Sequence, residues 1–212
     1  MSRARVAGVE ISTEHWIAGK RVPSRKTFRD ESPIDGAHLA DVSAGGAEEI
    51  GAAVAAARDA FPAWAALGPR GRLPILTAFA AGIRARAKEL AAVETTDNGS
   101  LQIGNLNRVV PRAAHNIEFF ADWALRLEDE KIDSEEVVNH VRYEPAGVAG
   151  IVTPWNAPLM LTTWKVGPAL AAGNTLVVKP PEWAPLTCSL LADLAQQAGV
   201  PAGVLNVVQG IG

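Results

Sequence analysis

Cysteine is nearly missing from this chain: Cys188 is the only one in 212 residues. A disulfide framework needs two, and a thiolate metal site usually needs more, so neither organises the fold. The four histidines, His15, His38, His115 and His140, are widely spaced, and no His–His or Cys–His pair falls at helical spacing. No metal centre is expected from such a set. An excess of one charge is lacking too, because 20 Lys and Arg stand against 23 Asp and Glu, a net charge of −3. The electrostatic footprint of a nucleic-acid binder is therefore absent. No apolar run approaches the roughly 20 residues that span a bilayer, which argues against a membrane partner. The basic start Met1–Arg5 is followed by an apolar stretch broken at Glu10 and too short for a signal peptide. Neither a G-x-x-x-x-G-K-S/T phosphate loop nor a G-x-S-x-G elbow occurs. What is present is 48% hydrophobic residues, against disorder and ample for a core. The expectation is a soluble protein of a reducing compartment, the cytoplasm, with one or two domains.

Hydropathy patterning organises the chain. Residues 1–45 read as irregular or strand-like, with a short hairpin around Gly19-Lys20 and turn chemistry at Ser32–Gly36. Residues 46–66 predict a helix with Glu48 and Glu49 in its first turn, where the macrodipole favours acids. Residues 70–97 predict a second helical region on the stripe Leu73, Leu76, Phe79, Ile83, stopped by Asn98-Gly99. Residues 106–127 read as helical, with His115, Phe119, Phe120 and Trp123 near one side. Glu128–Glu136 holds six acids in nine residues and reads as a solvated loop. Val137–Tyr143 reads as an exposed edge strand.

From about residue 147 the composition shifts. Gly147–Thr153, Thr175–Lys179 and Val204–Val208 are short, almost wholly apolar runs, as expected of strands buried on both faces. Between them lie an apolar helix, Leu159–Ala172, and a helix starting near Pro185. Strand, helix, strand, helix, strand is a βαβαβ unit, and right-handed crossovers make it parallel. The fold class is therefore α/β: a partial doubly wound parallel sheet, preceded by a mainly helical N-terminal region with a short hairpin and an edge strand. The boundaries read as 1–127, 128–146 and 147–212. The third strand, with no fourth neighbour in view, is expected to leave an open sheet edge.

In such sheets ligands bind beyond the carboxyl ends of the strands. Three segments qualify. Thr153-Pro154-Trp155-Asn156 follows the first strand. There Asn156 either donates to a developing oxyanion or caps the next helix. Lys179-Pro180-Pro181-Glu182 follows the second, where Lys179 and Glu182 either bind ribose hydroxyls or form a surface ion pair. Gln209–Gly212 follows the third. Cys188, amid leucines inside a helix, reads as a core cysteine rather than a nucleophile.

These residues resemble a known family. Glu144–Leu159, Trp164–Thr175 running into Lys179–Glu182, and Ala198–Gly210 are similar, in that order, to the signatures of the aldehyde dehydrogenase superfamily. Ala60–Trp64 and Glu94–Gly99 also fit, so the resemblance covers nearly the whole chain. Val110–Ala121 and Val204–Gly212 resemble the 5-carboxymethyl-2-hydroxymuconate-semialdehyde dehydrogenases of aromatic catabolism. The resemblance implies oxidation of a small-molecule aldehyde, such as a semialdehyde, by a cysteine thiolate, hydride transfer to NAD(P)+, and thioester hydrolysis by a glutamate-activated water. It implies Asn156 as oxyanion donor and Lys165 as a charge relay. Thr153, Pro154 and Trp155 would line the cofactor cleft. Lys179, Pro180, Pro181 and Glu182 would meet the adenosine ribose, with Gly212 near the adenine. Ala157, Leu161 and Trp164 would face the substrate. A carboxylate at Glu182 repels a 2′-phosphate, which favours NAD over NADP. A homo-oligomer is implied for an intact family member, through the Val137–Tyr143 strand. The family's nucleophilic cysteine and general-base glutamate lie beyond the third strand, so this sequence resembles an amino-terminal portion without a catalytic domain. The alternative is a catalytically dead dinucleotide-binding remnant or interaction module.

Overall fold

A computed structural model describes residues 2–212. Residues 3–43 form three antiparallel hairpins: β1 (Arg3–Val6) with β2 (Val9–Ser12), β3 (His15–Ile17) with β4 (Lys20–Val22), and β5 (Thr27–Glu31) with β6 (His38–Ser43). One hairpin is legible in the sequence. The others are not, because β1 fully buries only Val6 and β5 only Asp30, so neither shows apolar alternation. The β3–β4 turn sits on Ala18-Gly19, one residue before the expected Gly19-Lys20. Both central residues have positive φ, 51° and 76°, the primed geometry that matches strand twist.

The helical layer follows: α1 (Ala47–Ala66), α2 (Gly68–Ala85) and α3 (Ala87–Asn98). The expected helical region over 70–97 is two helices, broken where Arg86 leaves the helical basin (φ −103°, ψ 23°), and Gly99 ends α3 at φ +77° as expected. A short α4 (Gln102–Gly104) passes through a π-helical turn, Asn105–Val109, into α5 (Val110–Trp123). The acidic stretch is not a loop throughout. Glu130–Asp133 is a strand, β7, paired antiparallel with β8 (Val138–Val141), and every side chain of both is exposed. Solvation was expected of this segment; the ladder was hidden because neither strand has a buried face.

The last third supplies β9 (Val148–Val152), α6 (Pro158–Ala171), β10 (Thr175–Lys179), α7 (Leu186–Gln197) and β11 (Leu205–Val207). The central sheet has the order β4-β3-β11-β10-β9, with β9, β10 and β11 parallel and β3 antiparallel to β11. The alternation of β10 serves two faces. Leu176 and Val178 join the main core with Leu159, Leu170, Leu190 and Leu194. Val177 points the other way, to Ile17, Ala53, Ala57 and Val208. Helices therefore cover both faces, as a doubly wound sheet requires. The expected open edge at the third strand is corrected: Trp16 of β3 pairs with Val207. The free edge belongs to β9, which pairs only with β10. It is not buried on both faces, since Ile151 alone is buried and Val152 is 77% exposed.

Buried ionisable side chains fix the ends of the helices. The guanidinium of Arg72 (α2) donates from Nε and Nη2 to Ala171 O at 3.2 and 3.0 Å, and from Nη1 to Trp64 O and Ala65 O at 3.2 and 3.1 Å. It thereby serves carbonyls in the last turns of α6 and α1, where the helices run out of their own donors. On α3, Glu94 Oε1 accepts the Leu159 N–H at the start of α6 (3.2 Å), and Oε2 accepts from Thr187 Oγ1 at the start of α7 (2.6 Å). Asp97 Oδ2 accepts the Leu186 N–H (2.9 Å). Helix α6 also lies close on α5, where a Cβ at Gly167 would sit 2.9 Å from Asn116 O. Only glycine permits that approach.

Candidate functional site

Each strand of the parallel set releases its chain on the same side, so the three sequence-selected segments can be located together. After β9, Thr153 is buried with its Oγ1 unpartnered, whereas Pro154, Trp155 and Asn156 are exposed. Asn156 is not a helix cap. The N-cap of α6 is Ala157, at φ −159° and ψ 64° with no side-chain cap bond, and the first turn is served by Glu94 instead. The Asn156 amide is left without a protein partner among the described residues, so the oxyanion-donor alternative stays available to it. On α6, Ala157 and Leu161 are half-buried, and Trp164 and Lys165 exposed. Lys165 forms no ion pair among the described residues.

After β10, Pro180 and Pro181 are buried and stiffen the turn to Glu182. Lys179 Nζ meets Glu182 Oε2 at 2.8 Å, and this contact holds the Glu182 carboxyl below its usual range. A Cβ at Gly212 would lie 4.0 Å from both Lys179 Nζ and Glu182 Oε1. Two separate strand ends thus converge on one lysine–carboxylate pair.

Beside it opens a cavity of about 470 Å³, walled by Trp155, Trp183, Glu182, Asp97, Asn98 and Asp30. The two indoles lie 6.3 Å apart, tilted by 51°. Asp30 and Asp97 are buried side by side and hydrogen-bond to each other, and Asp97 Oδ2 also accepts the Leu186 N–H. Burial pushes Asp30 up to about 6, and burial together with the Asp30 charge pushes Asp97 well above the carboxylate range. Glu94, fully buried, is pushed up to about 7 against the two hydrogen bonds it accepts.

A second cavity, of about 590 Å³, lies at the other side of α6 and contains Arg108, Arg112, Met160, Trp164, Leu101 and Asn105. Arg112 stacks over the Trp164 ring at 5.4 Å while its Nε donates to Asn116 Oδ1 at 3.0 Å. Trp164 is the member of the expected substrate-facing set that lines this cavity. Arg108 and Arg112 escape a reading of the sequence because the π-helical turn shifts their register. Their i, i+4 spacing is the signal that marks them.

Cys188 is buried in α7, 3.2 Å from Thr162 Oγ1, and burial pushes its thiol up to about 12. Nucleophilic cysteines need the thiolate and access. An aromatic disulfide reagent is expected to titrate no thiol in the native chain and one in denaturant. Rapid modification of the native chain would refute this environment.

A sheet whose β9, β10 and β11 run parallel, with helices on both faces and polar groups gathered beyond those strand ends, sets the chain in the doubly wound α/β class. The family model for the aldehyde dehydrogenase family matches residues 18–212, and the chain belongs to that family of oxidoreductases. It is 44% identical over 199 residues to the 5-carboxymethyl-2-hydroxymuconate semialdehyde dehydrogenase of Escherichia coli, covering 93% of this chain and 42% of that protein. Its fold superposes on the gamma-glutamyl-gamma-aminobutyraldehyde dehydrogenase of Burkholderia cenocepacia J2315 with a TM-score of 0.93 at 43% identity, covering 97% and 43% of the two chains. It superposes equally on an indole-3-acetaldehyde dehydrogenase of P. syringae in complex with NAD+, at a TM-score of 0.92 and 38% identity, covering 96% and 42%. The chain thus spans about two fifths of the length of these relatives. Among the described residues, no helix is long and apolar enough to cross a membrane.

Proposed function

We propose that this chain supplies the nucleotide-binding half and the oxyanion donor of an NAD-dependent aldehyde dehydrogenase acting on a semialdehyde. The observation that carries the reading is the convergence of Lys179, Glu182 and Gly212 beyond β10 and β11, beside the Thr153–Asn156 turn beyond β9. Donors and acceptors here fit a dinucleotide: the buried Thr153 Oγ1 lacks a partner, and Lys179 and Glu182 offer charge of both signs. The bound nicotinamide would supply hydride acceptance. Glu182 would accept hydrogen bonds from ribose hydroxyls and, by repelling a 2′-phosphate, favour NAD over NADP. Thr153, Pro154 and Trp155 would wall the cleft, with Pro180 and Pro181 setting the position of Glu182. The Asn156 amide would donate to the oxygen on which charge develops, and such donors contribute roughly 3–4 kcal/mol. Lys165 would move a proton at the exposed face of α6.

A semialdehyde carries a carboxylate at the end remote from its aldehyde. Arg108 and Arg112, which line one cavity with Trp164, offer the guanidinium pair that such a carboxylate calls for, with Leu161 and Ala157 expected to face the substrate from α6 and its N-cap. The exposed β7–β8 hairpin, with Ile132, Val138 and Val141 outward, suits contact between subunits. In this reading residues 1–127 pack on the nucleotide-binding unit, 128–146 serve assembly, and 147–212 begin the dinucleotide domain.

The 212-residue polypeptide by itself would bind nucleotide without turnover, because its only thiol is Cys188. The test combines two measurements on this polypeptide. Titration with NAD+ or AMP should quench the tryptophan fluorescence of Trp155 and Trp183. Addition of an aldehyde with NAD+ should produce no reduced nicotinamide. Absent quenching would overturn the nucleotide reading, and turnover would overturn the assignment of Cys188.

A further inference from the structure

We propose that His15 is a positioning residue that holds the Gln209–Gly212 turn in its nucleotide-receiving form through the Gln209 amide, a role that rests on the nucleotide reading above. His15 lies in β3, fully buried. The Gln209 N–H, 194 positions away in sequence, donates to its Nδ1 at 3.0 Å. A ring nitrogen that accepts carries no proton, so the proton sits on Nε2, which donates to Ser24 Oγ at 2.6 Å. Ser24 Oγ then donates to Glu49 Oε1 at 3.2 Å, and Glu49 Oε2 accepts the Gly46 N–H at 2.8 Å. The tautomer is therefore set by a chain anchored at the start of α1.

The carbonyl of Gln209 is held as well, accepting from the Gly45 N–H at 2.8 Å. A Cβ at Gly45 would lie 2.8 Å from Val208 Cγ1 and 2.9 Å from both Gln209 O and His15 Cε1, so three chain segments meet with no space between them. Both backbone polar groups of Gln209 are thus fixed by residues outside the parallel strands, immediately before the glycine turn that ends beside Lys179 and Glu182. Burial keeps the imidazole below its ordinary pKa against the pull of Glu49 and Glu14, which preserves the neutral, accepting form.

Three variants of the full chain separate this role from simple packing. In His15→Asn the side-chain oxygen takes the place of Nδ1 and still accepts from Gln209. In His15→Gln the reach favours the Ser24 side, and in His15→Leu both bonds are lost. With AMP as the probe, His15→Asn should bind within about twofold of wild type, while His15→Gln and His15→Leu should weaken by about tenfold, the usual effect of one lost hydrogen bond. Exchange of the Gln209 amide, followed by NMR, should stay protected in His15→Asn and lose protection in the other two. A packing role alone would make AMP affinity follow the melting temperature, whichever nitrogen is mimicked. Wild type that takes no AMP overturns the nucleotide reading and this proposal with it. Wild type that binds, with His15→Leu binding equally well or keeping a protected Gln209 amide, overturns the role of His15 alone.

Discussion

Arg72→Ala is expected to destabilise the chain by about 3–5 kcal/mol, read as a fall in the urea midpoint at unchanged slope. The guanidinium is buried, and all its bonds go to main-chain carbonyls: Ala171 at the end of α6, and Trp64 and Ala65 at the end of α1. Removing it takes the guanidinium donors from the buried carbonyls of Ala171 and Trp64, each at a desolvation cost of about 1–3 kcal/mol, and removes a cation from two negative helix ends. Arg72→Lys should recover only part of the loss, because an ammonium lacks the planar fork that serves both helices. A variant with alanine at this position that melts like wild type would show that neither helix end depends on it.

Stability is expected to fall as pH rises from about 5 to about 8, the reverse of a protein held by paired carboxylates. Glu94 is raised from 4.5 to about 7 and Asp30 to about 6, both by burial, and Asp97 is raised well above the usual carboxylate range by burial and the Asp30 charge. Between the ordinary carboxylate range and those values the folded state binds more protons than the unfolded state. The stabilising contribution is therefore complete below about pH 4.5 and is lost as pH climbs through about 7. Each tenfold change in proton affinity is about 1.4 kcal/mol, so Glu94 alone accounts for about 3 kcal/mol. In Glu94→Gln the amide keeps an acceptor for the Leu159 N–H and never ionises. That variant should lose the Glu94 part of the slope and exceed wild type in stability at about pH 8. Denaturation midpoints that rise with pH would contradict buried, protonated acids in this cluster.

The two terminal crossovers are the most legible part of the molecule. β10 and β11 are short apolar runs closed by Pro180-Pro181 and Gly210, and Leu186, Leu190 and Leu194 mark one face of α7, so local pattern and tertiary burial agree. What escapes is whatever depends on partners distant in sequence. Nothing in His15-Trp16-Ile17 announces that it will pair with Val207, and that pairing reverses the expected sheet edge. Asp30, Glu94 and Asp97 look like ordinary surface acids until hairpin β5–β6 and helices α6 and α7 close over them. Of the candidate site, Lys179, Glu182 and Gly212 come together as the strand-end rule requires, because that rule needs only topology. Arg108 and Arg112 do not emerge from it, since their cavity is made by α4–α5 folding against α6.

The β7–β8 hairpin has its own consequence. From Glu130 to Val141 no strand residue is buried, so its opening exposes almost no apolar surface and costs little beyond its own ladder. The hairpin is therefore a separate, weakly protected cooperative unit, able to open and close many times while the core stays shut. A backbone cut at Ser134–Val137 would leave α5 still packed on α6, so the two pieces would behave as a non-covalent complex rather than as an unfolded chain.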